Sequence, residues 1–331
     1  MSSFPKYKTL YGVPHCHSSL STGEEIPGRI LSSARNRGLD FVILSDHNTF
    51  LIKEIKNKSS KIMRWAACQK ACTSFNKKYK DFLSLTAFEA KSHLYGHFNI
   101  IGSSNFFSSP IKNINAFMLW LWANPSIVAI NHPHSSVENI PSHKFLKESI
   151  CLIEVGNGCL KNNYCRFERR YYSMLDLGWK VGAINSQDNH KKDVGVSDNL
   201  TAVLCKEKSI SALLDALKYR RTYSTESRTL KLLFSINKTF MGSTIKIKEG
   251  KKLNFNIWAH DSENLIDKIE VITSGGKVIR TQDFPPEKNI SYLLSLTASC
   301  EEKWYVIKIY QANDKIAFSS PIFLKIEKSA K

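Results

Sequence analysis

Two histidines near the start of the chain, His15 and His17, are spaced as metal ligands are on an extended segment. Side chains alternate along a strand, so residues two apart point to the same side, and two imidazoles placed in this way can hold one metal ion. A single His-x-His is also typical of two half-buried histidines without a metal. The pair therefore predicts a metal site only if the chain supplies more ligands further on.

The next segments predict the elements that would position such ligands. A short strand over residues 11–14 leads into His15, a helix is predicted over 26–38, and the apolar, β-rich run 39–44 stops at Asp46 and His47. This strand–helix–strand order indicates a βαβ unit, whose sites form at the carboxyl ends of the strands. Taken alone, Asp46 could equally begin a helix as its N-cap.

Candidate ligands recur beside the ends of later predicted strands. Those strands cover residues 82–87, 95–102, 127–130, 151–153 and 180–184, and the polar residues beside them are Glu89, His97, His132, Glu154, Asp188 and His190. Burying such groups without partners costs roughly 2 to 7 kcal/mol each, so a purely structural protein has no reason to place them so regularly. His93, on the loop between two of these strands, is expected to lie outside the site.

The intervening segments are predicted to pack rather than to react. Residues 50–81 are predicted to be mostly helical, and further helices are predicted over 111–123, 166–177 and 210–218. Trp120 and Trp122 are expected to pack in the core. Cys68 and Cys72 share one helix face, which favours packing over a metal site.

The candidate ligands together exceed what one ion needs. They are His15, His17, Asp46, His47, Glu89, His97, His132, Asp188 and His190. Mixed imidazole and carboxylate ligands suit Zn, Mn or Fe better than Ca or Mg. Two or three ions sharing a bridging carboxylate would use the whole set, and closely spaced ions generate hydroxide and clamp the oxygens of a phosphoryl centre.

Composition narrows the function classes. The formal net charge of the 331 residues is +18, and it is spread along the chain, because residues 206–331 hold 22 of the 47 Lys and Arg and 14 of the 29 Asp and Glu. No basic tail and no aromatic stacking platform is evident, so nucleic-acid binding is an alternative and not the first choice. The start lacks the apolar run of a signal peptide, no segment has the length of a membrane span, and the eight cysteines lack metal-site spacing. We therefore expect a cytoplasmic protein with reduced thiols.

The last hundred residues have a different pattern. Gly275 and Gly276 predict a hairpin turn, and strands are predicted over 230–237, 253–260, 266–273, 290–297 and 304–310. The pattern predicts a small antiparallel β-sandwich that starts near Leu230. His260 and Asp261 stand alone there and are expected to be satisfied surface residues.

Five motifs in this order resemble the polymerase and histidinol phosphatase (PHP) superfamily of metal-dependent hydrolases. They are residues 15–17, 44–48, Glu89, 131–133 and 186–190. The wider context, residues 96–99, 153–158 and 221–223, is similar to the CehA/McbA-type branch of carbaryl-hydrolase-like proteins. The resemblance extends to about Tyr223 and is architectural beyond it.

The resemblance implies an α/β fold, with a distorted (β/α) PHP-type barrel over residues 1–226 and a small all-β sandwich domain over 227–331. It implies one ion held by His15, His17, Glu89 and Asp188, a second held by Glu89, His97 and His132, and a third at His47 and His190. Many members have Ser-Asp-Gly where this chain has Ser21-Thr22-Gly23, so the third site lacks the carboxylate of that aspartate. Asp46 would then orient a ligand or a bound water.

The resemblance implies a hydrolase that holds two or three divalent ions of Zn, Mn or Fe. A hydroxide between the first two ions would be the nucleophile. The hydroxide would attack a phosphate or a carbonyl carbon, while His190 and His47, with or without a third ion, stabilise the developing charge. His134 and Asn157 are candidate substrate contacts. A phosphoesterase acting on a small phosphorylated molecule is the first choice, because a basic protein suits an anionic substrate.

Three alternatives stay open. The chain could hydrolyse carbamates or carboxylic esters, it could act on the ends of nucleic acids, or it could be a non-catalytic, metal-dependent binding module. The nuclease reading predicts binding that weakens steeply with salt.

Overall fold

Strands and helices alternate along the first two hundred residues of the computed structural model, which describes residues 4–57, 60–159 and 162–327. The strands of this part are β1 (Lys8–Cys16), β2 (Phe41–Leu44), β3 (Glu54–Asn57), β4 (Ser60–Met63), β5 (Leu83–Ser92), β6 (Gly96–Ile101), β7 (Ile127–Asn131), β8 (Ile150–Cys159), β9 (Asn162–Arg166), β10 (Gly182–Ser186), β11 (Leu200–Cys205) and β12 (Thr222–Thr225). The helices are α1 (Pro27–Asn36), α2 (Asn48–Leu51), α3 (Arg64–Lys78), α4 (Ile114–Ala123), α5 (Lys144–Ser149), α6 (Glu168–Asp176) and α7 (Ile210–Lys218), with a 3₁₀ helix at Ser135–Asn139.

Local sequence explains where the helices lie. In α1, Ile30, Leu31 and Ala34 recur at helical spacing and are buried against the sheet, while Pro27 stands in the first turn, where its missing N–H is harmless. In α7, the Ser209 hydroxyl accepts from the backbone N–H of Ala212, which caps the helix at the residue where the sequence predicts it to begin.

A curved mixed sheet forms a distorted barrel. Its strand order is β10-β8-β7-β6-β5-β2-β1-β11-β12, with β1, β2 and β5 parallel, β6 antiparallel to both its neighbours, and β7, β8 and β10 parallel again. The barrel closes where the loop after β10 meets β1, through hydrogen bonds rather than a full ladder. The backbone N–H of His17 donates to the Asn189 carbonyl over 2.9 Å, and that of Asp188 donates to the His15 carbonyl over 3.1 Å. This confirms the predicted α/β barrel.

Two adjoining sheets make the C-terminal part all-β. Its strands are β13 (Lys231–Ile236), β14 (Thr239–Phe240), β15 (Thr244–Lys248), β16 (Lys252–His260), β17 (Ile266–Thr273), β18 (Lys277–Glu287), β19 (Asn289–Thr297), β20 (Trp304–Gln311), β21 (Ile316–Ser319) and β22 (Ile322–Glu327). The sheet β14-β13-β16-β19 packs on the sheet that contains β17, β18, β20 and β21, and Phe255 meets Tyr305 edge-on with ring centroids 5.0 Å apart. The predicted sandwich is confirmed, with the predicted turn at Gly275 and Gly276 in positive φ.

The second sheet of the sandwich continues the barrel sheet, because β21 pairs antiparallel with β12. The chain therefore returns to the barrel after residue 300, which the sequence did not predict. The division into residues 1–226 and 227–331 stays a prediction, and residues 1–3 and 328–331 at its outer ends lie outside the described part.

Several local predictions were wrong. The 50–81 segment contains the hairpin β3–β4 before α3, and Trp122 is 73% exposed rather than packed. Asp261 is fully buried, because the hydroxyls of Ser227 and Thr229 and the amide of Gln311 all donate to its carboxylate. Cys68 and Cys72 are buried free thiols on α3, as predicted. In the described residues, no helix is long and apolar enough to cross a membrane.

Candidate metal centre

The predicted ligands converge because four segments are tied together by their backbones. The Ser45 N–H donates to the Cys16 carbonyl over 2.9 Å, which joins the ends of β1 and β2. The Glu89 N–H donates to the Asp46 carbonyl over 3.2 Å, and His47 forms an isolated bridge with Glu89. With the bonds that join β1 to the loop after β10, these contacts bring distant residues to one end of the barrel.

Glu89 is the centre of this arrangement and is 1% exposed. Its Oε1 lies 3.1 Å from His97 Nδ1 and 3.2 Å from His132 Nε2. Its Oε2 lies 2.9 Å from His47 Nδ1 and 3.5 Å from His17 Nε2. One buried carboxylate therefore faces imidazoles from several strands. It lies within β5 rather than at the strand end, because β5 continues to Ser92.

A first group of ligand atoms comes from the end of β1, from β5 and from the loop after β10. His15 Nε2 and His17 Nε2 are 3.2 Å apart, and Asp188 Oδ1 lies 3.2 Å from the first and 3.0 Å from the second. The Glu89 carboxylate closes the group at 3.5 Å from each ring. Although Asp188 Oδ1 is buried, it has no hydrogen-bond partner of good geometry. A buried, negatively charged oxygen needs a partner, and a cation bound between this oxygen and the two imidazoles would supply one.

The spacing of this group fits a transition metal. Ligand bonds of about 2.0–2.1 Å in a tetrahedral site place neighbouring ligand atoms about 3.3 Å apart. The separations among His15, His17 and Asp188 run from 3.0 to 3.2 Å, close to that value. The donor chemistry, imidazole with carboxylate, is also that of Zn, Mn or Fe. The residues present therefore fit an ion.

A second group consists of Glu89, His97 and His132, whose ligand atoms lie close enough together to share one ion. Glu89 belongs to both groups, so it is placed to bridge two ions. His132 Nε2 faces the Glu89 carboxylate from the position directly after β7, and His97 faces it from β6.

A third group contains only histidines: His17, His47 and His190. The rings of His47 and His190 each lie 4.4 Å from the ring of His17. The group has no carboxylate of its own, because Glu89, whose Oε2 lies 2.9 Å from His47 Nδ1, already belongs to the other two groups. Thr22, the position at which the resemblance led us to look for a carboxylate, is exposed on a turn. His17 would have to serve the first and the third group at once.

Glu154 is a buried residue whose role in the site the sequence analysis missed. Its Oε1 accepts from His15 Nδ1 over 2.8 Å, and its Oε2 accepts from the backbone N–H of His132 and the side-chain amide of Asn157, each over 2.6 Å. A carboxylate on Nδ1 fixes the tautomer that leaves Nε2 free to bind a metal. The apolar residues that precede Glu154 in the sequence could have predicted that its carboxylate is buried. They could not have predicted that it binds His15, His132 and Asn157.

Asp46 holds the turn behind His17. Its carboxylate accepts from the backbone N–H and the hydroxyl of Ser18, over 2.8 and 2.6 Å, and from the Ser21 hydroxyl over 2.5 Å. Ser21 Oγ in turn lies 3.5 Å from His17 Nδ1. Asp46 therefore reaches the centre through Ser21 and His17.

The two predicted substrate contacts lie in different surroundings. The Asn157 amide is almost buried and donates to Glu154, so its nitrogen already has a protein partner. His134 is exposed, with its ring 6.1 Å from that of His132. His93 is exposed on the turn between β5 and β6 and lines the same cavity as His97.

The electrostatics of the centre favour ionised carboxylates. Burial opposes ionisation of Glu89, but the charge of His15 and hydrogen bonds from His132 and His15 hold its pKa well below the usual range. Burial likewise opposes ionisation of Asp188, yet His15 and His17 lower its pKa. Burial lowers the pKa of His17, which favours the neutral ring that a metal requires.

Backbone strain also occurs at the centre. His132 and Asp188 are non-glycine residues with positive φ, 26° and 47°. Such conformations cost of order 1 kcal/mol or more and persist where the surroundings fix them, which is common at functional sites.

Comparisons with known proteins give limited matches in sequence and a full-length match in structure. No protein-family profile matches the chain. An uncharacterized protein of Chlamydia pneumoniae is 28% identical in an alignment of 171 positions, which covers 46% of this chain and 27% of that protein. A protein of Chlamydia trachomatis is 28% identical over 173 residues, with the same shares. The matched part spans about a quarter of the length of these relatives.

One solved structure superposes over nearly the whole chain. It is a two-domain protein of Bacteroides vulgatus, described as containing a predicted PHP-like metal-dependent phosphoesterase. It is 19% identical, has a TM-score of 0.56, and the match covers 97% of each chain. At this identity the likeness shows the fold alone, so the chain shares the overall architecture of that two-domain protein.

Proposed function

We propose that this protein is a metal-dependent phosphoesterase of the PHP superfamily. The observation that carries the proposal is the buried Glu89 carboxylate, which belongs to two groups of ligand atoms at once. The structural neighbour, described as containing a predicted PHP-like metal-dependent phosphoesterase, supports the same class. The finer assignment to the CehA/McbA-type branch stays part of the proposal.

In this proposal the chain holds two divalent ions. His15, His17 and Asp188 would hold the first, His97 and His132 the second, and Glu89 would bridge them. Bound at these positions, Zn, Mn or Fe supplies a nucleophile at neutral pH and neutralises charge on a phosphoryl oxygen. The third group, which has no carboxylate of its own, would bind a further ion only weakly.

Other residues of the protein orient the ligands and stabilise charge on the substrate. Glu154 orients His15, and Asp46 acts through Ser21 to keep His17 in place. His47 and His190 are 27% and 40% exposed, so they reach the solvent side of the centre, where a substrate oxygen would lie. Their ring N–H groups would donate to the charge that develops there.

A phosphate ester fits this surface better than a neutral ester does. The cavity on the open side of the second group is lined by Lys91 and by histidines, and no acidic residue is among its lining residues. A neutral carbamate or carboxylic ester has no negative charge to match this lining before reaction. A small phosphorylated molecule is the proposed substrate, and nucleic-acid ends are the weaker alternative.

Two further assignments belong to the proposal. The barrel of residues 1–226 would carry the chemistry, and residues 227–331 would support it through the β12–β21 pairing. The cytoplasm is the proposed location, because the buried cysteines Cys16, Cys68, Cys72, Cys151 and Cys205 form no disulfide, as is usual in a reducing compartment.

The test is hydrolysis before and after metal removal. Protein stripped with a chelator should lose activity on p-nitrophenyl phosphate and regain it with Mn or Zn, while p-nitrophenyl acetate should remain a poor substrate. Glu89→Gln keeps the shape of the side chain but removes its charge, and it should lower the phosphatase rate at least a hundredfold. Glu138→Gln is the matched control, because the Glu138 carboxylate pairs with Arg170 and lies outside the centre.

Three results would count against the proposal. Activity that survives both metal removal and Glu89→Gln would refute the mechanism. Preference for the acetate would favour the carboxylic ester reading. Full metal loading without turnover on either ester would favour a binding module.

A further inference from the structure

A cavity of about 350 Å³ opens beside the second group of ligand atoms. Two of the proposed metal ligands form one wall, and the other walls come from the β5–β6 turn and from the 3₁₀ helix after β7. The lining includes Lys91, His93, His97, His132, His134 and Ser136. This volume lies at the lower end of the range for small-molecule pockets, about 300–1,000 Å³.

Lys91 is placed on the catalytic face of the sheet by strand geometry. It lies two residues after Glu89 on β5 and directly opposite His97 on β6. Side chains two apart on a strand leave the same face, as do directly opposed residues on neighbouring strands. Lys91 therefore points to the side of the sheet that carries Glu89 and His97.

The backbone around Lys91 is fixed on both sides. Its carbonyl accepts from the Ile111 N–H over 2.8 Å, and Ser92 forms a bridge with Ile111. The turn that follows closes at Gly96, which has a φ of 86° and faces Ser136 and Val137 of the 3₁₀ helix. The cavity is thus bounded by held segments.

The charges in the cavity are not neutralised. Among the described residues, no carboxylate lies within ion-pair distance of Lys91, and Glu138 on the adjacent 3₁₀ helix is bound to Arg170. The small cavity near His190 differs, because Glu25 accompanies Arg29 and Lys192 there, 3.8 and 3.4 Å from their nitrogens. The cavity lined by Lys91 therefore differs from this one in having no carboxylate among its lining residues.

We propose that this cavity is an anion subsite that binds a second negatively charged group, carried on the leaving group of the phosphate ester. The inference rests on the proposed function and narrows the substrate to small molecules with two anionic groups. Lys91 supplies the charge, and His93, His134 and Ser136 supply hydrogen-bond donors that need no change of protonation.

The experiment compares two esters that differ in one charge: 4-carboxyphenyl phosphate and 4-carbamoylphenyl phosphate. Their leaving groups have nearly the same size but differ in acidity, so the ratio of their kcat/KM values reports recognition of the carboxylate when it is compared between wild type and Lys91→Gln. The metal-loaded wild type should prefer the carboxylate by about tenfold, the lower end of the effect of one charge-assisted hydrogen bond. Lys91→Gln should abolish the preference. Lys112→Gln, which removes an exposed lysine outside the cavity lining, should retain it.

A binding arm separates the subsite from catalysis. The corresponding phosphonates, 4-phosphonobenzoate and 4-phosphonobenzamide, cannot be hydrolysed as esters and are titrated by calorimetry into metal-loaded protein. If both esters are cleaved without preference, the subsite is refuted and the proposed function stands. If neither ester is cleaved but the phosphonobenzoate binds about tenfold more tightly and Lys91→Gln removes the difference, the subsite stands and the proposed function fails. Equal binding of the two phosphonates overturns the subsite in either case.

Discussion

Glu154→Gln is the most informative single change, because it alters one buried oxygen and leaves every predicted ligand in place. The Glu154 carboxylate accepts three hydrogen bonds, from the His15 ring, the His132 backbone and the Asn157 amide. A glutamine has one accepting oxygen and one donating nitrogen. It therefore cannot satisfy all three donors in either orientation.

The two orientations of the amide have different consequences. If the oxygen of the new amide faces His15, its NH₂ group faces the backbone N–H of His132 and the side-chain NH₂ of Asn157. All of these groups are donors, so no hydrogen bond can form between them. If its nitrogen faces His15, it donates to Nδ1 and forces the proton to Nε2, the atom that would bind the metal. Loss of one charge-assisted bond costs about 1.5–3 kcal/mol, and changes of this kind beside a metal ligand lower metal affinity by about 10–100-fold.

The assay measures Zn or Mn affinity by competition with a chromogenic chelator, and unfolding in EDTA measures the stability of the metal-free protein. We expect Glu154→Gln to weaken the tighter site by about 10–100-fold. Glu226→Gln is the matched control, because Glu226 is equally buried and bound, by Tyr164 and Arg166, but touches no predicted ligand. It should lower stability and leave metal affinity unchanged. Equal metal affinity in Glu154→Gln and wild type would refute the orienting role.

Three further predictions concern other parts of the molecule. His190→Ala should leave two tight ions per chain in equilibrium dialysis, because the all-histidine group is the weak one, and loss of a tight ion would place His190 in the main pair. Asp261→Asn should lower the free energy of unfolding in urea by about 2 kcal/mol at pH 7. Although burial raises the pKa of Asp261, hydrogen bonds from Ser227 and Thr229 lower it to about 2. The stabilisation by the Asp261 carboxylate is therefore present above pH 4 and is lost as the pH falls to about 2. A deficit in Asp261→Asn that does not change with pH would contradict this. Gly12→Ala should cost about 1–3 kcal/mol in the same urea measurement, because a Cβ there would overlap the Phe41 carbonyl and ring, and unchanged stability would show that β1 and β2 separate freely.

The sequence predicted the elements whose signals are local. The bounds of α7 at Ile210–Lys218 follow from its apolar spacing and its capping serine, and the strand ends carried the polar residues that converge on Glu89. Convergence itself could be inferred, because strands that follow βα order end on one side of a barrel.

Features that depend on distant partners could not be predicted. The burial of Asp261 requires Gln311, fifty residues away, and the return of β21 to β12 joins residues nearly a hundred apart. Glu154 carried no local sign that one oxygen would face His15 and the other His132. In the 50–81 segment, Ile55 and Ile62 of the β3–β4 hairpin are only partly buried and their described neighbours are exposed, so the two short strands give too weak an alternation to predict.

The count of bound ions tests the central claim most directly. Protein reconstituted with excess Zn or Mn and then desalted can be measured for metal per chain by mass spectrometry of the elements, with Glu89→Gln beside it. A carboxylate shared by two groups predicts two tightly bound ions per chain in the wild type and one or fewer in Glu89→Gln. A single ion in the wild type, or two ions in both proteins, would contradict a centre built around Glu89.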